Sequence, residues 1–162
     1  MKVSATEEHG LRCLMRLAVA WKTGDPVTIP EVARCEGMSP TYVAKLVAIL
    51  RRADLVRSVR GVKGGVGLSR APENMTLTEA MSALAGAPVR TGPCMGPESM
   101  PCERSGTCGL RNVWNRVANA VTTVLDGVTI ADLVEGGRAG AVGGETRDGL
   151  TIPARWAVES RV

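Results

Sequence analysis

The chain has 162 residues, a net charge of +4, 44% apolar residues and only 2% aromatics. That length suits one domain of ordinary size, or one domain with appendages, and the core must be aliphatic. Scarce rings argue against a single-strand nucleic-acid binder, whose bases need stacking partners, and no apolar run approaches the roughly 20 residues that span a bilayer.

The N-terminus, M-K-V-S-A-T-E-E-H, shows no signal-peptide pattern, so a cytoplasmic protein is expected. Five cysteines are an odd number, and in a reducing cytosol they are not expected to form structural disulfides.

Residues 7–22 carry Leu11, Leu14, Met15, Ala18 and Trp21 at helical spacing, and Gly24-Asp25-Pro26 ends that helix. Thr28-Ile29-Pro30-Glu31 has the form of a capping box and opens a short helix that faces Val32 and Ala33 inward. Gly37 stops it. Cys13 and Cys35 fall within these two helices and read as small core residues rather than ligands.

Ser39-Pro40 starts a third helix, with Ser as N-cap and Pro at the first helical position. Val43, Leu46, Val47 and Leu50 form its inner stripe, and Thr41, Tyr42, Lys45 and Arg52 lie towards the other side. Two short helices joined by a tight glycine turn read as a helix-turn-helix.

Leu55 to Val59 alternates as a strand does. Gly61 to Gly67 is a glycine-dense turn, and Leu68 resumes the pattern, which makes a β-hairpin wing. From Lys45 to Arg70 there are seven cations (Lys45, Arg51, Arg52, Arg57, Arg60, Lys63, Arg70) against Asp54 alone. That net of +6 exceeds the excess of the whole chain and points to double-stranded DNA. The third helix suits a major groove, and Arg60 is placed to reach a minor groove. The candidate DNA contacts are Ser39, Thr41, Tyr42, Lys45, Arg52, Arg60 and Lys63. The glycine run lacks the G-x-x-x-x-G-K-[ST] form of a phosphate-binding loop.

Thr76-Leu77-Thr78-Glu79 is a second capping box, opening a helix with Leu77, Ala80, Met81 and Leu84 that Gly86 closes. Residues 87–109 form a Gly- and Pro-rich loop with Cys94, Cys102 and Cys108, seven residues in the first gap and five in the second. A long helix follows, with Leu110, Val113, Trp114, Val117, Val121, Val124 and Leu125 on one stripe and Asp126-Gly127 at its end. The stripe is too long for a small winged domain to cover, so it is expected to pack on a second subunit. Thr129 to Val134 is a short capped segment. From Glu135 glycines crowd the chain and no apolar period remains, which predicts a flexible tail with a small docking segment around Ile152 and Trp156.

Thiolates are soft ligands that suit a compact metal centre. Zinc usually takes four ligands in paired C-x-x-C or His spacings, and neither pairing is present. The wide gaps favour an iron–sulfur cluster, with zinc or plain thiols left open. A fourth ligand has to come from outside the loop. Glu7, Glu8 and His9 are the available suppliers, although carboxylates at a helix start also serve its dipole. One histidine and no acid–base constellation leave no case for an enzyme.

The chain resembles the bacterial iron–sulfur winged-helix transcription regulators of the IscR, NsrR, RsrR and RirA kind. The likeness covers residues 1 to about 134 and rests on L-R-C-L-M-R-L-A-V (11–19), S-P-T-Y-V-A-K-L (39–46), L-V-R-S-V-R-G-V-K-G-G (55–65), the three-cysteine loop and Trp114. It implies a homodimeric repressor or activator on a pseudo-palindromic operator, with a cluster between the dimerisation helix of one subunit and the N-terminal helix of the other. The histidine that IscR-like members carry three residues after the last cysteine is replaced by Arg111, and the second N-terminal ligand of RsrR-like members by Arg12. The resemblance therefore favours Cys94, Cys102 and Cys108 with Glu8 of the partner subunit, His9 in reserve. The seven-then-five spacing looks most like RirA and fits [4Fe–4S] better than [2Fe–2S].

The expected fold is mainly α with a small β-hairpin, a winged helix-turn-helix bearing a long dimerisation helix. Residues 1–86 form the DNA-binding domain, 87–109 the cysteine loop, 110–134 the dimerisation helix and a short terminal helix, and 135–162 the tail. The expected function is sensing of nitric oxide, redox state or iron. The alternative is a zinc-stabilised DNA-binding protein without a sensing role.

Overall fold

The computed structural model describes residues 3–61, 64–86 and 108–139. Cys94, Cys102, Lys63 and the segment around Ile152 and Trp156 lie outside the described residues.

The chain runs α1 (Ala5–Trp21), α2 (Ile29–Glu36), α3 (Pro40–Arg52), β1 (Val56–Val59), β2 (Gly65–Leu68), a single 3-10 turn (Pro72–Asn74), α4 (Leu77–Ala85), α5 (Gly109–Asp126) and α6 (Ile130–Ala139). The mainly helical fold with one hairpin is the one the sequence predicts.

Local chemistry sets the helix starts. Thr28 and Glu31, and Thr76 and Glu79, close reciprocal capping boxes as their spacing requires. The Glu31 carboxyl is held below its ordinary pKa, first by the Thr28 hydroxyl and then by the Thr28 backbone N–H. Ser4 and Glu7 close a third box, so α1 begins at Ala5, before the predicted start at 7. Ser4-Ala5-Thr6-Glu7 carried that S-x-x-E signal. Each such cap contributes about 1 kcal/mol. The Ser39 hydroxyl caps α3 by accepting the Tyr42 N–H, and Gly37, at φ 67°, makes the turn between α2 and α3 that a Cβ would oppose.

The core is aliphatic. Leu14, Leu17, Val32, Val43, Leu46, Leu50, Leu55, Val56, Leu68, Met75 and Ala80 are buried together, and α1 runs through their midst against α3, α4, α6 and β2. The described tryptophans, Trp21 and Trp114, both stay exposed.

The wing pairs antiparallel with Val56 opposite Leu68 and Val59 opposite Gly65. Strand β2 starts at Gly65, inside the stretch predicted as turn. The reason lies elsewhere in the chain: Val27 and Val66 exchange two 2.9 Å backbone hydrogen bonds across the other edge of β2. A Cβ at Gly65 would sit 2.6 Å from the Val27 carbonyl oxygen, so glycine there permits the pairing.

Helix α6 also departs from expectation. Ile130 and Val134 are buried in the same core as α1, so this helix belongs with the N-terminal body in space. Leu77 N–H donates to Val128 O and Ile130 N–H to Met75 O, which staples its start to the start of α4. The helix continues past Glu135, the predicted onset of the tail, to Ala139. Packing of one face against α1 carries it through Gly136 and Gly137, where propensity alone would stop it.

Helix α5 contrasts with all of these. Only Leu125 is buried, while Leu110, Val113, Trp114, Val117 and Val124 are exposed along it, and its described contacts within the chain run to α4.

Candidate nucleic-acid interface

Helix α3 buries Val43, Leu46, Val47 and Leu50, which forces the opposite face outward. Ser39, Thr41, Lys45 and Arg52 are exposed there, and Arg60 is exposed at the tip of β1. Thr41, Lys45 and Arg52 recur at helical spacing, so they share one stripe. Among the described residues Lys45, Arg52 and Arg60 make no hydrogen bond or ion pair with the protein, which leaves their charges available for phosphate.

The other described cations of this segment, Arg51, Arg57 and Arg70, are engaged. Arg51 donates to the Ser58 hydroxyl at 3.3 Å, tying α3 to β1. Arg57 donates to Leu68 O at 3.1 Å across the wing. Arg70 donates to Asn74 O at 2.9 Å, to Asp54 O at 3.3 Å and to Glu79 at 2.8 Å. It therefore braces the base of the wing against the 3-10 turn and α4. The raw count of seven cations overstated the number of free basic side chains, because hydrogen bonding across sequence distances of up to 16 residues is invisible to composition.

Tyr42 stands apart from its neighbours. It is half-buried, packs against the core, and its hydroxyl lies 3.4 Å from Nδ1 of His9 on α1. The two rings meet edge to face, with centroids 5.6 Å apart at 86°. The helical period placed Tyr42 near the boundary between faces, and only the position of α1 decides which way it leans.

The described candidate metal ligands fall into separate places. Cys108 is half-exposed at the N-cap of α5, and its thiol makes no capping hydrogen bond. Glu7 is buried, and Oε2 accepts the Ser4 N–H at 2.7 Å, which commits it to the capping box. Glu8 is exposed and pairs with Arg12 one turn on, Oε1 to Nη2 at 2.8 Å. A pair this open to water is worth about 0–1 kcal/mol, so the carboxylate is easily released. Among the described residues no three His, Cys, Asp or Glu side chains converge as a metal group.

Of the two helical cysteines, Cys13 is buried as expected, and burial followed by the nearby Glu36 charge pushes its thiol up to about 12. Such a thiol stays protonated at neutral pH. Cys35 is exposed, contrary to its predicted core position. It lies two residues past Ala33, about 200° round the helix, and so lands on the outer face of α2. Sequence reasoning also missed the 3.0 Å pair from Arg16 to Glu36, which joins α1 to α2.

A helix-turn-helix with a cationic outward stripe and a basic wing defines a winged-helix reader of double-stranded DNA. Residues 3–136 match the model of the Rrf2 family, described as iron-dependent transcriptional regulators, and the chain belongs to that family. It is 31% identical over 136 residues to protein rrf2 of Nitratidesulfovibrio vulgaris, covering 83% of this chain and 87% of that one. It is 32% identical over 133 residues to the HTH-type transcriptional regulator CymR of Bacillus subtilis, covering 82% and 89%. Among solved structures, T. potens IscR superposes with a TM-score of 0.65 at 31% identity, over 83% of this chain and 87% of that one. The structure of CymR, the global cysteine regulator of B. subtilis, gives 0.65 at 30% identity over 83% and 97%. The protein is a DNA-binding transcriptional regulator of this family and not an enzyme. No described helix is long and apolar enough to cross a membrane.

Proposed function

We propose that the protein is a homodimeric regulator that senses nitric oxide, redox state or iron through an iron–sulfur cluster. The observation that carries this reading is the start of α5. Cys108 occupies the N-cap position without using its thiol as a cap, and two residues later begins an apolar stripe that the chain leaves exposed: Leu110 at 65%, Val113 at 52% and Trp114 at 41%. A second copy of the stripe is the natural cover for it. This supports a dimer contact that begins next to the cysteine segment in sequence.

Family membership by itself does not choose the signal. The family is described as iron-dependent, while its B. subtilis relative is described as a cysteine regulator. The donor set supplies the choice. Cys94, Cys102 and Cys108 offer three soft thiolates, and Glu8 of the partner subunit offers one hard, exchangeable carboxylate, with His9 in reserve. This set fits a cluster with one labile corner, [4Fe–4S] rather than [2Fe–2S]. A bound cluster supplies an iron centre reactive towards nitric oxide, oxygen and iron loss.

The chain's own residues do the rest. With a cluster bound, Cys94 and Cys102 would be held together with Cys108 at the head of α5. Glu8 gives up Arg12 when it serves as a ligand, so ligation bears on α1. Helix α1 packs on α3, so its placement bears on the two recognition helices and the spacing they present to a pseudo-palindrome. Ser39, Thr41, Tyr42, Lys45, Arg52, Arg60 and Lys63 form the DNA contact set, with Tyr42 half-buried against α1.

Native mass spectrometry of protein purified without oxygen tests the reading. A dimer carrying iron and sulfide, lost when serine replaces the three loop cysteines, is the expected result. A colourless dimer with stoichiometric zinc would establish the zinc-stabilised alternative and end the sensing proposal.

A further inference from the structure

The first two turns of α1 direct four consecutive residues to four different partners. Glu7 turns back on its own cap at Ser4, and Glu8 reaches forward to Arg12. His9 meets Tyr42 of the recognition helix. Gly10 closes on α4, where a Cβ would stand 2.3 Å from Cδ2 of Leu84, two residues before α4 ends at Gly86.

His9 is the only histidine and Tyr42 the only tyrosine in the chain. Their contact combines an edge-to-face ring pair with a 3.4 Å approach of hydroxyl to ring nitrogen. Tyr42 is the third residue of α3, and its N–H is held by the cap at Ser39. A side chain anchored there fixes the tilt of the helix end that carries Ser39 and Thr41. Farther along α1, Arg16 holds Glu36 of α2 at 3.0 Å. Both helices of the DNA-reading pair therefore hang from α1, but only the link to α3 lies next to Glu8.

We propose that His9 is a positioning residue for DNA recognition. It holds Tyr42, and through it the first turn of α3, and passes to the recognition helix any displacement of α1 that ligation at the adjacent Glu8 produces. The first half stands on the contact itself. The second half rests on the cluster reading above. His9 then acts as a coupler between ligand helix and recognition helix rather than as a reserve ligand, and Tyr42 serves DNA binding through helix placement, by its contact with His9, rather than by touching DNA.

The test is a double-mutant cycle with His9→Gln, Tyr42→Phe and the pair. The probe is a duplex selected by the wild-type protein from a random-sequence library. Affinity is measured for cluster-free protein and for protein loaded anaerobically with iron and sulfide. In the cluster-free protein each single change is expected to weaken binding about threefold, with the double variant no worse than either single. The ratio of loaded to cluster-free affinity is expected to shrink by a similar factor, within the range typical of coupling residues. His9→Gln is expected to keep wild-type iron content.

Additive losses in the cycle would overturn the mutual contact. An unchanged affinity ratio, beside a wild-type ratio that differs from one, would overturn the coupling. Loss of iron from His9→Gln would make His9 a ligand and overturn the proposal. Wild-type protein that takes up no cluster, or binds equally well with and without it, would instead defeat the sensing reading and the coupling built on it, and the cluster-free cycle would still decide the positioning half. Because Tyr42 is the sole tyrosine, fluorotyrosine labelling gives one fluorine resonance. That resonance should move in His9→Gln; a line identical to wild type, in protein with an unchanged melting temperature, would deny the contact in solution.

Discussion

Helices α1 and α5 are near equals in length and both are amphipathic, yet they end in opposite situations. The apolar face of α1, with Cys13, Leu14, Leu17 and Ala18, is buried in its own chain. That of α5, with Leu110, Val113, Trp114, Val117 and Val124, is left in the open except at half-buried Val121 and buried Leu125. Periodicity states that a helix has a face to bury and says nothing of what buries it. The difference is set by what surrounds each helix. Around α1 stand α3, α4, α6 and β2, while α5 leaves the body and touches α4.

The sharpest way to test that contrast is to damage each face. Leu50→Ala empties a fully buried site of the body and should cost about 3 kcal/mol in urea unfolding. Val117→Asp should cost the fold less than about 0.5 kcal/mol, as exposed substitutions do, while sedimentation shows the proposed dimer lost. Equal unfolding penalties for the two would mean that α5 packs within its own protomer.

The same division between committed and free groups applies to the arginines. Arg60→Ala should weaken binding to the selected duplex about tenfold and lower the salt slope by about one ion. Arg70→Ala should leave the slope alone and instead lower the melting temperature by a few degrees, because it removes three internal hydrogen bonds. A reduced slope in Arg70→Ala would place that guanidinium on phosphate.

The cysteines of the helix-turn-helix body offer a smaller effect. Native alkylation should label Cys35 and spare Cys13. The folded Cys13 thiol is raised from 9.0 to about 12, so it holds its proton more tightly than the unfolded chain does. Its contribution to stability is complete below pH 9 and is lost as pH rises from there towards 12. Wild-type protein should therefore lose stability more steeply than Cys13→Ala across that window in denaturant titrations. Parallel slopes would show that Cys13 ionises freely in the folded state.

The smallest expected change in stability belongs to Glu8→Ala, within about 0.5 kcal/mol, since its pair with Arg12 is half exposed at 51% and 48%. Its effect should appear instead as reduced cluster retention during anaerobic gel filtration. Undiminished retention would remove Glu8 from the donor set.

Much of this protein is legible residue by residue. Capping boxes at Thr28 and Thr76, the Ser-Pro start of α3, the alternation of the wing and the stripe on α5 are local patterns, and local hydrogen bonds and helical periodicity suffice to read them. The basic segment announced a DNA reader, because charge belongs to the side chains themselves. What remained hidden depends on distant partners. The burial of α6, the strand at Gly65 answering Val27, the internal duty of Arg70 and the lean of Tyr42 towards His9 were each decided when the chain closed around α1. Those outcomes are contacts between segments up to more than a hundred residues apart, and no window of sequence contains both halves of such a contact.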